Sequence, residues 1–262
     1  MQNLVMLTGA STGIGREMAL QLADAGCDLI LTARSSDKLE RLKNLIDAKN
    51  KVKVHVFVAD LSQAGAAEKL YSQVRAAQLL PTHLVNNAGS GLYGAFAESS
   101  LTDTLAMMQL NMQSLVALSR LFVADRLPLG SGRLMNVASL LAYLPFPYYS
   151  TYSATKAFVL AFSQTLAAEL DGSGVVVTAV SPGPTDTPFN TDAMWKTNAY
   201  KSNKPVAADK VAREAVQLLL HGKGTKVVGF QNWFISNLPR ITPDAIMMRI
   251  KKQLASQRSA MQ

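Results

Sequence analysis

The sequence predicts an α/β protein with a doubly wound parallel sheet of about seven strands and helices on both faces. Short apolar runs alternate with longer segments of helical spacing, and parallel strands require such crossover segments between them. The predicted strands are 4–8, 28–32, 52–58, 84–86, 134–137, 175–180 and 226–229. The predicted helices are 13–25, 37–48, 64–79, 101–124, 151–170 and 207–220. Each strand is built on a short apolar run, so we expect it to be buried on both faces.

The domain organisation follows from length and composition. A chain of 262 residues with 48% hydrophobic residues can bury a large core. No repeat or Pro/Gly/Ser-rich linker divides it, so we predict one domain over 1–262. The longest irregular stretch follows the sixth strand, and loops of that length are usually functional. We therefore predict a lid at about 184–204 and an amphipathic extension at about 231–262.

Composition excludes several classes of protein. The net charge is +8, and half of it lies in 231–262, where five basic residues face one acidic residue. Because no basic run is interleaved with aromatic residues, we expect no nucleic-acid partner. Cys27 is the sole cysteine and there are three histidines, so we expect neither a disulfide nor a metal site. Without a signal-like or membrane-spanning segment, the expected location is cytoplasmic.

The first distinctive motif is the glycine loop, residues 8–15, with the sequence Thr-Gly-Ala-Ser-Thr-Gly-Ile-Gly. It follows the first predicted strand and opens the first helix, where free backbone amides and the helix dipole attract a pyrophosphate. Its Gly-x-x-x-Gly-x-Gly spacing departs by one residue from the common dinucleotide fingerprint. A turn needed only for close packing is the alternative, but we favour cofactor binding.

The end of the second strand indicates which dinucleotide binds. An NAD-binding chain carries an acidic residue there, whereas this chain has Arg34, whose guanidinium can pair with a 2′-phosphate. We therefore predict NADP(H) over NAD(H), with Lys38 as a second cation. Two alternatives remain: Arg34 as an ordinary surface charge, and Asp37 as the acidic residue, although Asp37 is better placed to start the next helix.

A tyrosine and a lysine one helical turn apart suggest proton transfer. Tyr152 and Lys156 share one face of the predicted helix 151–170, and a neighbouring ammonium lowers the pKa of a phenol. Such a phenol can exchange a proton with a carbonyl oxygen. Ser139 follows the fifth strand at the ligand-binding edge and could polarise the same oxygen. The Tyr-x-x-x-Lys pattern also arises by chance, so the prediction depends on the whole set.

With these motifs in view, the chain resembles the classical short-chain dehydrogenase/reductase family over 4–187. The motifs that carry the resemblance are, in order, Thr8-Gly9-x-x-x-Gly13-x-Gly15, Asp60, Asn86-Asn87-Ala88-Gly89, Asn111, Ser139, Tyr152-x-x-x-Lys156, Pro182-Gly183 and Thr187. The resemblance implies a Rossmann fold, a hydride-transferring oxidoreductase acting on CH–OH or C=O groups, and a homodimer or homotetramer.

The resemblance also implies roles for individual residues. Tyr152 is the general acid/base, Ser139 positions the substrate oxygen, and Lys156 lowers the tyrosine pKa and holds the nicotinamide ribose. Asn111 joins a proton relay. The implied cofactor-binding residues are Gly9, Ser11, Thr12, Gly13, Ile14, Gly15, Arg34, Lys38, Asp60, Leu61, Asn87, Ala88, Gly89, Tyr152, Lys156, Pro182, Gly183, Thr185 and Thr187.

Apolar residues between Ser139 and Tyr152 and within the lid predict an apolar carbonyl or alcohol substrate, unless they are core or subunit contacts. Past the last strand, Ile246, Ile250 and Leu254 repeat beside basic residues. We favour a helix that packs on its own subunit or a neighbour over contact with a membrane surface. The alternative functions are a non-catalytic NADP(H)-binding regulator and an epimerase or dehydratase that retains its cofactor.

Overall fold

Strands and helices alternate along the chain as the apolar runs predicted. A computed structural model describes residues 3–240 and 242–255. The strands are β1 Leu4–Thr8, β2 Asp28–Ala33, β3 Val54–Val58, β4 His83–Asn86, β5 Gly132–Val137, β6 Val175–Ser181, β7 Thr185–Asp186, β8 Val206–Ala207 and β9 Gly224–Val227. The helices are α1 Gly13–Asp24, α2 Ser36–Lys49, α3 Ala66–Ala76, α4 Leu101–Met108, α5 Ser114–Arg126, α6 Ser150–Glu169, α7 Asp192–Trp195, α8 Asn198–Ser202, α9 Ala208–His221, α10 Phe230–Asn237 and α11 Asp244–Ala255.

Seven strands form one parallel sheet in the order β3-β2-β1-β4-β5-β6-β9. The order reverses at β1, which pairs with β2 on one side and with β4 on the other. Such a reversal leaves a crevice at the carboxyl ends of the strands, where open α/β sheets bind ligands. The doubly wound Rossmann-type sheet is therefore confirmed, and the glycine loop lies at its switch point.

Both faces of the central strands are buried, each in its own apolar cluster. Along β1, Val5 and Leu7 belong to the cluster beneath α1, α2 and α9, whereas Met6 belongs to the cluster beneath α3 and α5. Successive side chains of a strand point to opposite faces, so a fully apolar strand needs helices on both sides. Burial of each such side chain contributes about 1.5–3 kcal/mol, which holds β1 and its loop rigidly in place.

The structure corrects two predictions about single elements. The edge strands β3 and β9 are only partly buried, because each has a neighbouring strand on one side alone. The predicted helix 101–124 is interrupted by a π-helical turn over Gln109–Gln113, between α4 and α5. Such turns are frequent at functional sites, and this one contains Asn111.

The predicted lid, 184–204, is not irregular throughout. It contains β7, α7 and α8, and β7 pairs in parallel with β8 as a separate two-stranded sheet. This small sheet holds both ends of the segment close to the main sheet. The lid is therefore anchored at its base, and its two short helices lie between those anchors.

The C-terminal helix α11 forms where the sequence predicted an amphipathic segment, but it packs through a different face. Met247, Lys251 and Ala255 are buried, whereas Ile246 and Ile250 are exposed. The helix thus packs on its own subunit through Met247, Lys251 and Ala255, and Ile246 and Ile250 of the amphipathic pattern remain on the outer surface of the single chain. Among residues 3–240 and 242–255, no helix is long and apolar enough to cross a membrane.

Candidate active site

A cavity of about 500 Å³ lies at the carboxyl edge of the sheet. The glycine loop and the segments that follow β5 and β6 form one side of it, and α6, the lid, α10 and α11 form the rest. Its lining includes Tyr152, Lys156 and Ser139 together with Phe146, Phe189 and Leu254. The cavity therefore joins the predicted cofactor loop to the predicted catalytic residues within one apolar space.

The glycine loop is held in place by the turn that follows β4. The Thr8 hydroxyl accepts hydrogen bonds from the Asn87 and Ala88 amides at 3.1 and 3.0 Å. The Asn87 side chain donates to the Thr8 carbonyl at 3.0 Å and the Gly9 carbonyl at 3.2 Å. A Cβ at Gly15 would lie 2.2 Å from the Gly9 carbonyl oxygen, so only glycine allows this close approach.

The start of α1 suits the charge of a dinucleotide pyrophosphate. Thr12 is the N-cap residue, and within the described chain its side chain makes no capping hydrogen bond. Ser11, Thr12 and Ile14 are half-buried beside the crevice, so the free amides of the first turn can face an anion. Thr187 packs against this turn, since a Cβ at Gly13 would lie 3.0 Å from its Cγ2.

The carboxyl ends of β2 and β3 place one acidic and two basic side chains around the predicted adenosine end. Arg34 and Lys38 are exposed, and Lys38 lies in the first turn of α2. Burial alone raises the pKa of the Asp60 carboxyl, but hydrogen bonds from Ser62 and the charge of Arg34 outweigh burial and lower it. Leu61 packs in the core, so only its backbone can face this site.

Helix α6 presents Tyr152 and Lys156 to the cavity one turn apart. The Lys156 ammonium donates to the Val137 carbonyl at 2.8 Å and lies 5.9 Å from the centroid of the Tyr152 ring. Burial lowers the pKa of Lys156 to about 8. The β5 carbonyl therefore fixes the ammonium at the sheet edge, close to Gly89, where an added Cβ would lie 3.5 Å from the lysine nitrogen.

The phenol of Tyr152 is buried, and its surroundings set its protonation. Burial raises the pKa of Tyr152, while the hydrogen bond with the Ser139 hydroxyl lowers it to a smaller extent. The net direction is upward, opposite to the lowering expected from the Lys156 charge, because loss of solvation outweighs the other effects. Tyr152 is thus a neutral phenol at neutral pH, the form that can donate a proton.

Ser139 is positioned by the backbone around it. It caps the short turn Leu140–Ala142, and its hydroxyl accepts a hydrogen bond from the Leu141 amide at 3.1 Å. The Leu140 amide donates to the Pro182 carbonyl at 2.8 Å, which ties the end of β5 to the end of β6. The serine hydroxyl therefore faces the tyrosine from a fixed point on the sheet edge.

Asn111 lies in the π-helical turn and is almost completely buried. Its side-chain amide donates to the Ser90 carbonyl at 2.9 Å and to the Thr155 hydroxyl at 3.1 Å. Its oxygen accepts from the Ser90 amide at 3.0 Å. Asn111 therefore joins the turn after β4 to α6 beside Lys156, and its partners Ser90 and Thr155 were not predicted from the sequence.

The segment after β6 closes the site. Pro182, Gly183, Thr185 and Thr187 all line the cavity, and the Thr185 hydroxyl donates to the Gly183 carbonyl at 3.0 Å. Phe189 brings its ring to 5.7 Å from that of Tyr152, centroid to centroid. The predicted cofactor residues after β6 thus share the cavity with Tyr152, and Phe189 of the predicted lid packs beside the Tyr152 ring.

Two tyrosines that line the cavity, Tyr149 and Tyr200, were not predicted from the sequence as site residues. Tyr149 packs beside Tyr152 with ring centroids 6.3 Å apart, and Tyr200 of the lid donates to Asn190 Oδ1 at 2.6 Å. Burial raises the pKa of Tyr200 to about 12. Tyr149 precedes a recognisable motif, but no spacing distinguishes it from a core residue. Tyr200 reaches the site only because the lid folds back across the sheet edge.

A parallel sheet with a glycine loop at its switch point and a Tyr–Lys pair in the same crevice defines a nicotinamide-dependent oxidoreductase of the Rossmann type. The family model described as short chain dehydrogenase matches residues 3–197. The chain belongs to this family, as the order of its motifs predicted.

Individual relatives agree with that assignment. The chain is 33% identical over 219 residues to sulfoacetaldehyde reductase 2 of Chromohalobacter salexigens, covering 81% of this chain and 86% of that protein. It is 32% identical over 257 residues to the very-long-chain 3-oxoacyl-CoA reductase of Anas platyrhynchos, covering 95% and 80%. A short-chain dehydrogenase from Sphingobium yanoikuyae in complex with NADPH superposes with a TM-score of 0.77 at 26% identity, covering 93% and 97%.

Proposed function

We propose that this protein is an NADP(H)-dependent oxidoreductase that transfers a hydride between nicotinamide and the carbonyl or alcohol carbon of an apolar substrate. The observation that carries the proposal is the convergence of Tyr152, Ser139 and Lys156 on the cavity that the glycine loop borders. In that arrangement one space holds a dinucleotide cradle, a proton donor and an apolar chamber. A regulator that only binds the cofactor would not need the proton donor.

Each residue has a definite task in the proposed reaction. The glycine loop would hold a dinucleotide through its pyrophosphate, and the bound cofactor would supply the hydride for reduction or take it up in oxidation. Ser139 orients the substrate oxygen, and the neutral phenol of Tyr152 donates a proton to that oxygen during reduction, or accepts one during oxidation. Lys156 holds a positive charge close to the phenol. Asn111 fixes the position of α6 relative to the turn after β4 through its hydrogen bonds to Thr155 and Ser90.

Arg34 supports NADP(H) as the cofactor. Its guanidinium is exposed at the carboxyl end of β2, and Lys38 follows in the first turn of α2. A guanidinium pairs with a 2′-phosphate through two hydrogen bonds, whereas a carboxylate there would repel it. Asp60 lies nearby, but its own hydrogen bonds from Ser62 already occupy one carboxylate oxygen.

An Arg34→Asp substitution tests the cofactor proposal. We expect the ratio of kcat/KM for NADPH to that for NADH to fall by about 100-fold, because an attraction becomes a repulsion at the 2′-phosphate. Arg41→Asp is the matched control, since it makes the same charge change at an exposed position of α2 outside the site. If both variants kept the original ratio, Arg34 would have no part in cofactor choice.

The lining of the cavity supports an apolar substrate. Leu144, Phe146 and Met194 border the chamber beyond Tyr152, and Ile235 and Leu254 close its far side. Such a pocket favours ligands that bury apolar surface and present one polar end. We propose that 184–204 is the lid of this chamber, since Phe189 and Tyr200 reach from it toward Tyr152.

A panel of carbonyl substrates tests the proposed reaction. Consumption of NADPH is followed with bulky apolar ketones and aldehydes and with small polar ones, including sulfoacetaldehyde. We expect kcat/KM to be about 100-fold higher for the best apolar compound, because two or three buried methylene groups supply that difference. Equal rates across the panel would contradict the apolar chamber, and cofactor binding without net consumption would favour the epimerase or dehydratase alternative.

A further inference from the structure

Helix α10 exposes an aromatic face. Phe230, Trp233 and Phe234 are spaced three and four residues apart, which places them on one side of the helix. Between 52% and 80% of each side chain's surface is accessible, and the rings of Phe230 and Trp233 stack with centroids 5.8 Å apart. The opposite side of α10 is polar and buried, through Asn232 and Ser236. This helix therefore turns its apolar side outward, the reverse of an ordinary surface helix.

Helix α11 adds a second exposed apolar group near the same cavity. Ile246 and Ile250, four residues apart on one side of the helix, are 53% and 44% accessible, while Met247 and Ala255 pack inward. Both helices border the chamber, because Gln231 and Ile235 of α10 and Leu254 and Ala255 of α11 line it. Each of the two helices thus lines the proposed substrate chamber with some residues and exposes apolar side chains with others.

The positive charge of the chain is concentrated in the C-terminal part of the sequence, which includes α10 and α11. From residue 222 to the C-terminus there are seven basic residues and one acidic residue, a net charge of +6 out of +8 for the whole chain. Arg249 and Lys252 are exposed on α11 itself. A membrane surface of anionic phospholipids matches this combination, since aromatic side chains enter the headgroup region and basic side chains attract its charge.

We propose that the outward faces of α10 and α11, formed by Phe230, Trp233, Phe234, Ile246 and Ile250 with Arg249 and Lys252, dock on an anionic phospholipid bilayer. Docking would bring the apolar chamber to the bilayer surface, from which an apolar substrate could enter without crossing water. The proposal concerns adsorption to the surface and does not depend on the hydride chemistry, so vesicle binding tests it separately from the proposed function.

Vesicle flotation tests the proposal directly. The full chain is mixed with phosphatidylcholine vesicles that contain or lack phosphatidylglycerol, and a Phe230→Ser/Trp233→Ser/Phe234→Ser variant is compared with it. We expect binding to the anionic vesicles, and a partition coefficient about tenfold or more lower for the triple variant. Phe96→Ser, which alters another exposed phenylalanine that is 69% accessible, should bind as the original chain does.

Three further measurements test the proposal and the alternative occupant of this face. The chain has two tryptophans, so Trp195→Phe leaves Trp233 as the sole reporter, and its emission should shift to shorter wavelength on anionic vesicles. Turnover of a water-soluble ketone should be unchanged in the triple variant, which shows that it is folded. Absence of binding to either vesicle would overturn the proposal, as would a triple variant that binds normally. A fall in oligomeric mass of the triple variant, measured by light scattering, would instead identify a second copy as the occupant and also overturn it.

Discussion

A Tyr152→Phe variant should lose turnover by about 10²- to 10⁴-fold while retaining its affinity for NADPH. The substitution removes one hydroxyl and leaves a ring of nearly the same shape within the buried site. Because that hydroxyl is the proposed proton donor, its loss removes a contribution of about 3–5 kcal/mol to the transition state. Cofactor affinity depends on the glycine loop and Arg34 and should change by no more than a few-fold.

The neighbouring tyrosine provides the control. Tyr149→Phe makes the same chemical change in the same cavity, one helical turn from Tyr152, and should alter kcat by only a few-fold. Steady-state kinetics of both variants, with NADPH binding followed by fluorescence, separates proton transfer from packing. If Tyr152→Phe kept full turnover, the proposed acid would be wrong. If the original chain bound NADPH and never turned over any substrate, the regulator alternative would gain support.

A Gly15→Ala variant should lose about 100-fold or more in NADPH affinity. The new Cβ would lie 2.2 Å from the Gly9 carbonyl oxygen and 2.5 Å from the side-chain nitrogen Nδ2 of Asn87. The glycine loop or the turn after β4 must therefore move. Alanine is the better helix former by about 1 kcal/mol, but a backbone clash of this size outweighs that gain. Displacement of the loop would also misdirect the amides at the start of α1.

A glycine distant from the site separates cofactor binding from stability. Gly26 has a positive φ of 78° and open space around its Cβ position, so Gly26→Ala strains the backbone without a collision. It should lower the free energy of unfolding by about 1–2 kcal/mol and leave NADPH affinity unchanged. Thermal unfolding and NADPH titration of both variants provide the comparison. Equal losses of affinity would show that the glycine loop has no special role.

Much of the fold could be predicted because the central strands carry local evidence of their surroundings. The first four residues of strand 4–8 are all apolar, and only a sheet covered on both faces buries such a run. The edge strands were predicted as equally buried, since their apolar runs look similar although each has one neighbour fewer. Likewise, no residue pattern distinguishes the π-helical turn at Gln109–Gln113 from a continuous helix.

The C-terminal region shows that periodicity predicts a helix but not the side on which it packs. The helix at Asp244–Ala255 was expected from its periodicity, yet its buried side carries Met247, Lys251 and Ala255 rather than Ile246 and Ile250. Residues distant in the sequence determine which side of the helix is buried. The Tyr93 hydroxyl donates to the Ala255 carbonyl at 2.8 Å, and the Asn198 side-chain amide donates to the Gln253 carbonyl at 3.0 Å. Spacing along a helix carries no information about such partners.

The sequence by itself determined the parallel sheet, the position of the glycine loop and the set of residues that belongs at its crevice. These depend on periodicity and on motifs whose parts are close in the chain or follow successive strands. The tertiary structure alone decided how Thr8 and Asn87 hold the loop, that burial raises the pKa of Tyr152, and which helix faces remain exposed. Desolvation and close contact between distant segments cause these features, and both exist only after the chain has folded.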